Sequence, residues 1–204
     1  MTSLKEYYQN LYARHGRASE SVQHVSFEEQ SKRFKILLDN VGLNDNVIDL
    51  GCGLADLYFY MKSKGFEGKY LGLDFVDQFI KNNLEYYQGE QNAEFEVFDL
   101  YQDRIVSGYD HIILCGVFNN IMADNYSFMK LAVSKMYASA KQSISFNLLS
   151  TYVDYKDDAL HYFDPKEVFD FCKKEISPLV TLKHDYGLGD NNYPYEFTVF
   201  IRKN

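Results

Sequence analysis

Tryptophan is absent from this chain of 204 residues, only three prolines and three cysteines occur, and no run of lysines and arginines gathers into a basic patch. Each shortage excludes something. With so few prolines, and with 46% apolar and 25% charged residues, the chain is neither disordered nor collagen-like and has an ordinary globular composition. Cys52, Cys115 and Cys172 are odd in number and widely spaced, which points to reduced thiols and away from a disulfide framework or a zinc site. A formal net charge of −8 repels a phosphate backbone on average, so no nucleic-acid partner is expected. The longest apolar runs, such as Ile112 to Phe118, are strand-sized and far short of the roughly 20 residues that cross a bilayer. The first residues lack a basic region followed by an apolar stretch. No membrane span, no signal peptide and a cytoplasmic location are therefore expected, while composition leaves the oligomeric state open.

What the chain does have is a regular alternation of strand and helix signals behind a helical N-terminal region. Ser3 to Glu6 reads as a capping box opening a helix to about Arg14, and Ser26 to Glu29 as a second one. The second helix carries Phe27, Phe34, Leu37, Leu38 and Val41 at helical spacing and is expected to stop at Gly42. Strands are expected at 47–50, 70–74, 95–98, about 109–117 and 143–148, with helices between them, including a long one from about Asn119 to Ala138. Asp164-Pro-Lys-Glu167 caps a last helix with proline in its first turn. Two strand-like runs, Leu179 to His184 and Phe197 to Ile201, follow without a helix between them and predict an antiparallel C-terminal hairpin. Since each parallel pair needs a crossover, the expected fold is α/β: a Rossmann-like three-layer sandwich on a mostly parallel seven-stranded sheet. One domain is expected over 1–204, with a helical cap at 1–45, a ligand-binding core at 46–150, and a lid, helix and hairpin at 151–204.

The strongest motif is Val47-Ile-Asp-Leu-Gly-Cys-Gly-Leu-Ala-Asp56. A strand that ends in Gly51-Cys52-Gly53 lets backbone pass close to a ligand. A dinucleotide fingerprint wants a third glycine at position 56 to cradle a pyrophosphate, and Asp56 stands there. That argues against a nicotinamide oxidoreductase. Asp49 instead suits a ligand with an ammonium and a sulfonium, as S-adenosylmethionine has. Asp74 ends the second strand, 21 residues after Gly53, where a carboxylate can accept from both ribose hydroxyls. Phe75 is placed to cover adenine, and Asp99 with the backbone at Leu100 to meet its edge. Three acids on three successive strand ends are thus expected to converge on one ligand.

On these residues the chain resembles the class I S-adenosylmethionine-dependent methyltransferases, from about Asn46 to the final strand. Motif I appears as Asp49 to Gly53, the acid that follows it as Asp74, the adenine-side acid as Asp99, and the fourth motif as Tyr109 to Asn119, with Cys115 beside the transferable methyl group. Within that superfamily it is most similar to small bacterial enzymes acting on metabolites or surface sugars. The resemblance implies S-adenosylmethionine as cofactor and methyl transfer as activity. The chain lacks the Asn/Asp-Pro-Pro-aromatic turn of related amino-group methyltransferases and the Pro-Cys pair of cytosine C5 enzymes. Cys115 stands where metal-dependent catechol-type enzymes place a carboxylate, so no metal is expected.

Alignment and exclusion of water carry most of such a reaction, and a hydroxyl acceptor also profits from a general base. The candidate catalytic residues are His24, His161 and His184, with Asp185 beside the last. His161 falls in the aromatic and acidic segment 152–163, which is expected to form a substrate lid. Gln30 and Arg33 flank the buried stripe of the second helix, and Arg33 is expected to reach the cofactor carboxylate or a substrate acid. The expected acceptor is a small molecule, methylated at oxygen. A protein or RNA acceptor, or a non-catalytic S-adenosylmethionine-binding module, are the alternatives.

Overall fold

The computed structural model describes residues 4–189 and 193–203. Seven strands form one sheet: β1 (Val47–Leu50), β2 (Tyr70–Asp74), β3 (Ala93–Val97), β4 (His111–Leu114), β5 (Ser143–Leu149), β6 (Val180–Lys183) and β7 (Glu196–Arg202). Their order is β3-β2-β1-β4-β5-β7-β6. The first five are parallel, and β7 enters antiparallel between β5 and β6. The sequence thus foretold the mostly parallel sheet and its C-terminal hairpin. Chain order reverses between β1 and β4, so their C-terminal ends open the crevice in which such sheets hold ligands.

The strands alternate their side chains between two helical layers. One face is covered by α5 (Asn125–Ser139) and α6 (Pro165–Phe171), whose Met129, Val133, Met136 and Val168 pack on Ile48, Leu50, Ile112, Ile144 and Phe146. The other is covered by α2 (Phe27–Leu37), α3 (Asp56–Ser63) and α4 (Asp77–Tyr86), with Phe34, Leu37, Tyr58, Met61 and Ile80 against Val47, Tyr70, Phe95 and Ile113. Far from the crevice, His111 at the head of β4 pairs through Nδ1 with Ser143 Oγ (2.8 Å) and through Nε2 with Asp45 Oδ2 (3.1 Å), stapling β4 to β5 and to the approach to β1. Among the described residues no helix is long and apolar enough to cross a membrane.

Several boundaries differ from those the sequence predicts, each for a local reason. The first helix, α1, runs Leu4–His15, and Ser3 of its expected capping box lies outside the described residues. Ser26 does cap α2, accepting from Glu29 N at 3.2 Å, but α2 ends at Leu37, before Val41. Gly42 is not its stop, because its N–H belongs to a separate turn closed by Asp45 Oδ2. The long helix α5 starts at Asn125, since Asp124 takes the Ser127 N–H (2.9 Å). Residues 117–119 form a 3₁₀ turn, and Asn120 then bridges to Leu160.

Asp49 shows how alternation decides a role. It sits on the β1 face that looks toward α2 and α3, 2% exposed, and its Oδ2 accepts the Tyr70 hydroxyl at 2.6 Å. Burial pushes its pKa from 3.8 up to about 7, although the Tyr70 bond holds it down. An acid whose pKa is higher in the folded than in the unfolded chain takes up its proton on folding. Its contribution to stability therefore falls as pH rises from about 4 to about 7 and is flat above. Asp49→Asn is predicted to flatten this slope, so that between those pH values the variant gains a few kcal/mol relative to wild type. Urea unfolding at a series of pH values measures it, and parallel stability curves would contradict the assignment.

Candidate active site

A cavity of about 330 Å³ opens at the C-terminal ends of β1, β2, β3 and β4. Its floor is the turn after β1, where Gly51 has φ +81° and a Cβ would stand 2.3 Å from Val117 Cγ2, so only glycine fits. Asp74, at the tip of β2 and 7% exposed, holds that turn: its Oδ2 accepts from Gly53 N and its Oδ1 from Val76 N, both at 2.9 Å. Burial raises the Asp74 pKa to about 6 against the pull of its backbone donors, which leaves the carboxylate mostly ionised at neutral pH. Phe75 lies beside it on the wall, and Phe98, Asp99 and Leu100 continue that wall from the end of β3. Asp99 closes a local turn, accepting from Tyr101 N (2.8 Å) and Gln102 Nε2 (2.9 Å). At the end of β4 the wall is Cys115, Gly116 and Val117.

The roof comes from the N-terminal segment, through Leu4, Tyr8, Val22 and His24. Val22 packs so closely on Gly53 that a Cβ there would meet its Cγ1 at 2.8 Å. The Tyr8 hydroxyl donates to Gln23 Oε1 (2.7 Å) and accepts from Asn120 Nδ2 (2.8 Å), fastening the roof to the loop beyond β4. Arg17 adds a second fastening, with Nη2 donating to Leu54 O (2.8 Å) and the guanidinium 3.8 Å over the Tyr86 ring.

Of the residues singled out in the sequence, His24, Gly51, Cys52, Gly53, Asp74, Phe75, Asp99, Leu100 and Cys115 are brought together around this cavity. Others are not. Asp49 lies behind the turn with Tyr70, so two of the three expected acids, not three, face the ligand space. Arg33 is committed elsewhere: Nε donates to Glu196 Oε2 (3.0 Å) and Nη2 to Tyr195 Oη (3.1 Å). Burial works against its charge, but Glu196, Tyr195 and Cys115 outweigh that and raise its pKa. His161 is packed against Tyr126 and Phe163, and His184 Nε2 meets Pro194 O at 3.0 Å, with Asp185 exposed beside it. The expected lid at 152–163 contributes no residue to the cavity wall. Backbone bonds hold it back against β5 and the post-β4 loop: Thr151 N to Phe163 O, Phe163 N to Leu149 O and His161 N to Asn119 O. Tyr8, Val22 and Asn120 also line the cavity without a signal singled out in the sequence, although Asn120 directly follows the fourth motif.

The cavity wall contains two carboxylates and, among the described residues, no lysine or arginine. That charge balance fits a ligand of net positive charge and disfavours a pyrophosphate. S-adenosylmethionine, with its sulfonium, ammonium and ribose, meets these terms on the residues present.

Comparison with known proteins agrees with this geometry. No protein-family model matches the chain. It is 32% identical over 164 residues to a Mycobacterium tuberculosis protein named "Putative methyltransferase Rv1506c", covering 78% of this chain and 93% of that one. It is 27% identical over 127 residues to the protein-lysine N-methyltransferase EFM4 of Saccharomyces cerevisiae, covering 57% of this chain and 56% of that protein. The fold matches the magnesium protoporphyrin IX methyltransferase of Synechocystis PCC 6803, solved with bound S-adenosylhomocysteine. That likeness has a TM-score of 0.69 at 12% identity and covers 97% of this chain and 93% of that one. Sheet order, crevice and relatives thus define a methyltransferase. The chain belongs to the class I S-adenosylmethionine-dependent methyltransferases.

His24 is the one candidate histidine on the cavity wall, and burial, with the nearby Arg33 charge, lowers its pKa from 6.5 to about 4. It is predicted to stay neutral throughout the physiological range. An NMR titration of the His24 imidazole nitrogens, assigned by its loss in His24→Ala, should show a midpoint near 4, and one near 6.5 would contradict the packing described.

Proposed function

We propose that the chain methylates the hydroxyl of a small molecule, with His24 receiving the hydroxyl proton. The observation that carries this is the convergence, at one end of the cavity, of the β4 tip and a neutral imidazole. A Cβ placed on Gly116 would lie 3.5 Å from His24 Nε2. S-adenosylmethionine supplies a methyl group on a sulfonium, whose departure as a neutral thioether makes displacement easy once the acceptor is aligned.

In this proposal Asp74 accepts hydrogen bonds from the ribose hydroxyls on lone pairs that Gly53 and Val76 leave open. Phe75 and Leu100 border the adenine, with Asp99 at its edge. The turn from Gly51 to Gly53 would hold the methionine end on backbone groups, and Cys115 and Gly116 would border the methyl group that it supplies. Cys115 acts there as a small wall residue, because burial raises its thiol pKa well above the physiological range. The roof from α1 keeps water from the reacting atoms. Its coverage favours a small acceptor over a protein chain, which would need a more open approach. His24 Nε2, neutral and over the strand tip, takes the acceptor's proton as the oxygen attacks.

Asp74→Asn is predicted to weaken S-adenosylhomocysteine binding by about tens to a hundredfold, the cost of about 2–3 kcal/mol in charge-assisted bonds. Wild-type affinity should hold above about pH 7 and decline below about pH 6 as the Asp74 carboxyl protonates, a dependence the variant lacks. His24→Ala should leave that affinity unchanged while lowering turnover about a hundredfold. Titration calorimetry across pH reads the first two. Equal affinity for wild type and Asp74→Asn would remove the ribose contact from the proposal.

A further inference from the structure

Resting on a small-molecule acceptor, we infer that the acceptor subsite is the polar part of the cavity bordered by His24, Gly116 and Gln30, and that it takes neutral hydroxyl compounds and rejects those bearing phosphate or carboxylate. Gly116 itself is fixed: its N–H is held by Asn147 Oδ1 at 2.8 Å, and Asn147 Nδ2 donates in turn to Glu196 Oε1 at 3.1 Å. Above it, the place a Cβ would occupy has His24 Nε2 at 3.5 Å and Asn119 Nδ2 at 4.0 Å, so both side chains stand over the strand tip.

Two side-chain oxygens are buried without a hydrogen-bond partner, Gln30 Oε1 in a residue of the cavity wall and Asn119 Oδ1 in a residue beside Gly116 but outside that wall. Gln30 is 6% exposed and lines the cavity. Its amide nitrogen is spoken for, because the side chain bonds to the Asp56 carboxylate, which can only accept. Its oxygen is therefore the atom left over. A buried carbonyl oxygen without a donor has lost its hydration with nothing in return, a loss that a ligand O–H or N–H recovers on binding. Both orphans are acceptors, so the ligand they await is a donor.

Charge sets the other half of the selectivity. Among the described residues lining the cavity there is no lysine or arginine to hold an anion. Arg33, close enough to act on His24 and Cys115, is neutralised by Glu196 at 3.0 Å and occupied by Tyr195 at 3.1 Å. A phosphate or carboxylate on the acceptor would lose its hydration and find no cationic side chain, with Asp74 and Asp99 along the same wall, whereas the cofactor's carboxylate is balanced by its own ammonium.

The test is a ligand-observed NMR screen of the wild type saturated with S-adenosylhomocysteine. The library consists of matched pairs: neutral hydroxyl compounds and their phosphorylated or carboxylated counterparts. Asn119→Leu and Gln30→Met are screened alongside, with far-UV circular dichroism and a cooperative thermal transition as the check that each has folded, and calorimetric S-adenosylhomocysteine affinity measured for each. The expected result is that neutral members bind at least tenfold tighter than their anionic partners. Both substitutions should weaken that binding about tenfold and leave S-adenosylhomocysteine affinity within twofold of wild type. Anionic members binding equally well, no neutral member binding, or a tenfold loss of S-adenosylhomocysteine affinity in folded variants would each overturn the inference. The last would return the orphan oxygens to the cofactor. A separate arm reads the parent proposal: label passing from the methyl donor to protein in a cell extract contradicts a small-molecule acceptor, whichever way the pairs fall.

Discussion

Asp74 joins the turn after β1 to the end of β2 through hydrogen bonds from Gly53 N and Val76 N at 2.9 Å each, and the cavity takes its shape from that joint. A carboxylate with backbone donors on both oxygens is fixed in position, yet it keeps lone pairs for a ligand. Because Gly53 is clamped from below by Asp74 and from above by Val22, the roof, the turn and the strand tip form one contact stack. Loss of the carboxylate would disturb all three together. That coupling explains why a buried acid is retained at a position where burial raises its pKa to about 6.

The same crevice is polarised from end to end. Asp74 and Asp99 put negative charge at the β2 and β3 tips, while the β4 tip is surrounded by neutral groups and an ion pair closed on itself. In the proposed reading a cationic cofactor is held at one end, and an uncharged nucleophile meets it at the other. Methyl transfer suits such a division, since the positive charge on the sulfonium disappears in the reaction and needs no fixed counterion where the methyl group moves. The chain Arg33, Glu196, Asn147, Gly116 runs from α2 through β7 and β5 to this neutral end. It gives the C-terminal hairpin a part in placing the strand tip.

The sheet, its hairpin and the residues around Asp74 were legible because the signals are local: apolar runs of strand length, a glycine-bearing turn, and acids at strand ends. Asp49 was misplaced although period-two alternation already put it on the face opposite Leu50, and that pattern should have outweighed its charge. Arg33 could not be read correctly from its helix, since its partner Glu196 lies 163 residues away. A substrate lid is expected at 152–163 on composition, whereas backbone pairing holds that segment back. The roof comes from Leu4 and Tyr8 of α1 with Val22 and His24 beyond it, and no α1 residue is fully buried. Asn119 is informative only once the 3₁₀ turn after β4 brings it over Gly116.

A crystal structure of the complex with S-adenosylhomocysteine tests the central joint most directly. The account predicts both ribose hydroxyls within about 3 Å of the Asp74 carboxylate, and the cofactor sulfur facing Gly116 beneath His24. A ribose bound away from Asp74, or a sulfur directed to any other part of the crevice, would contradict it.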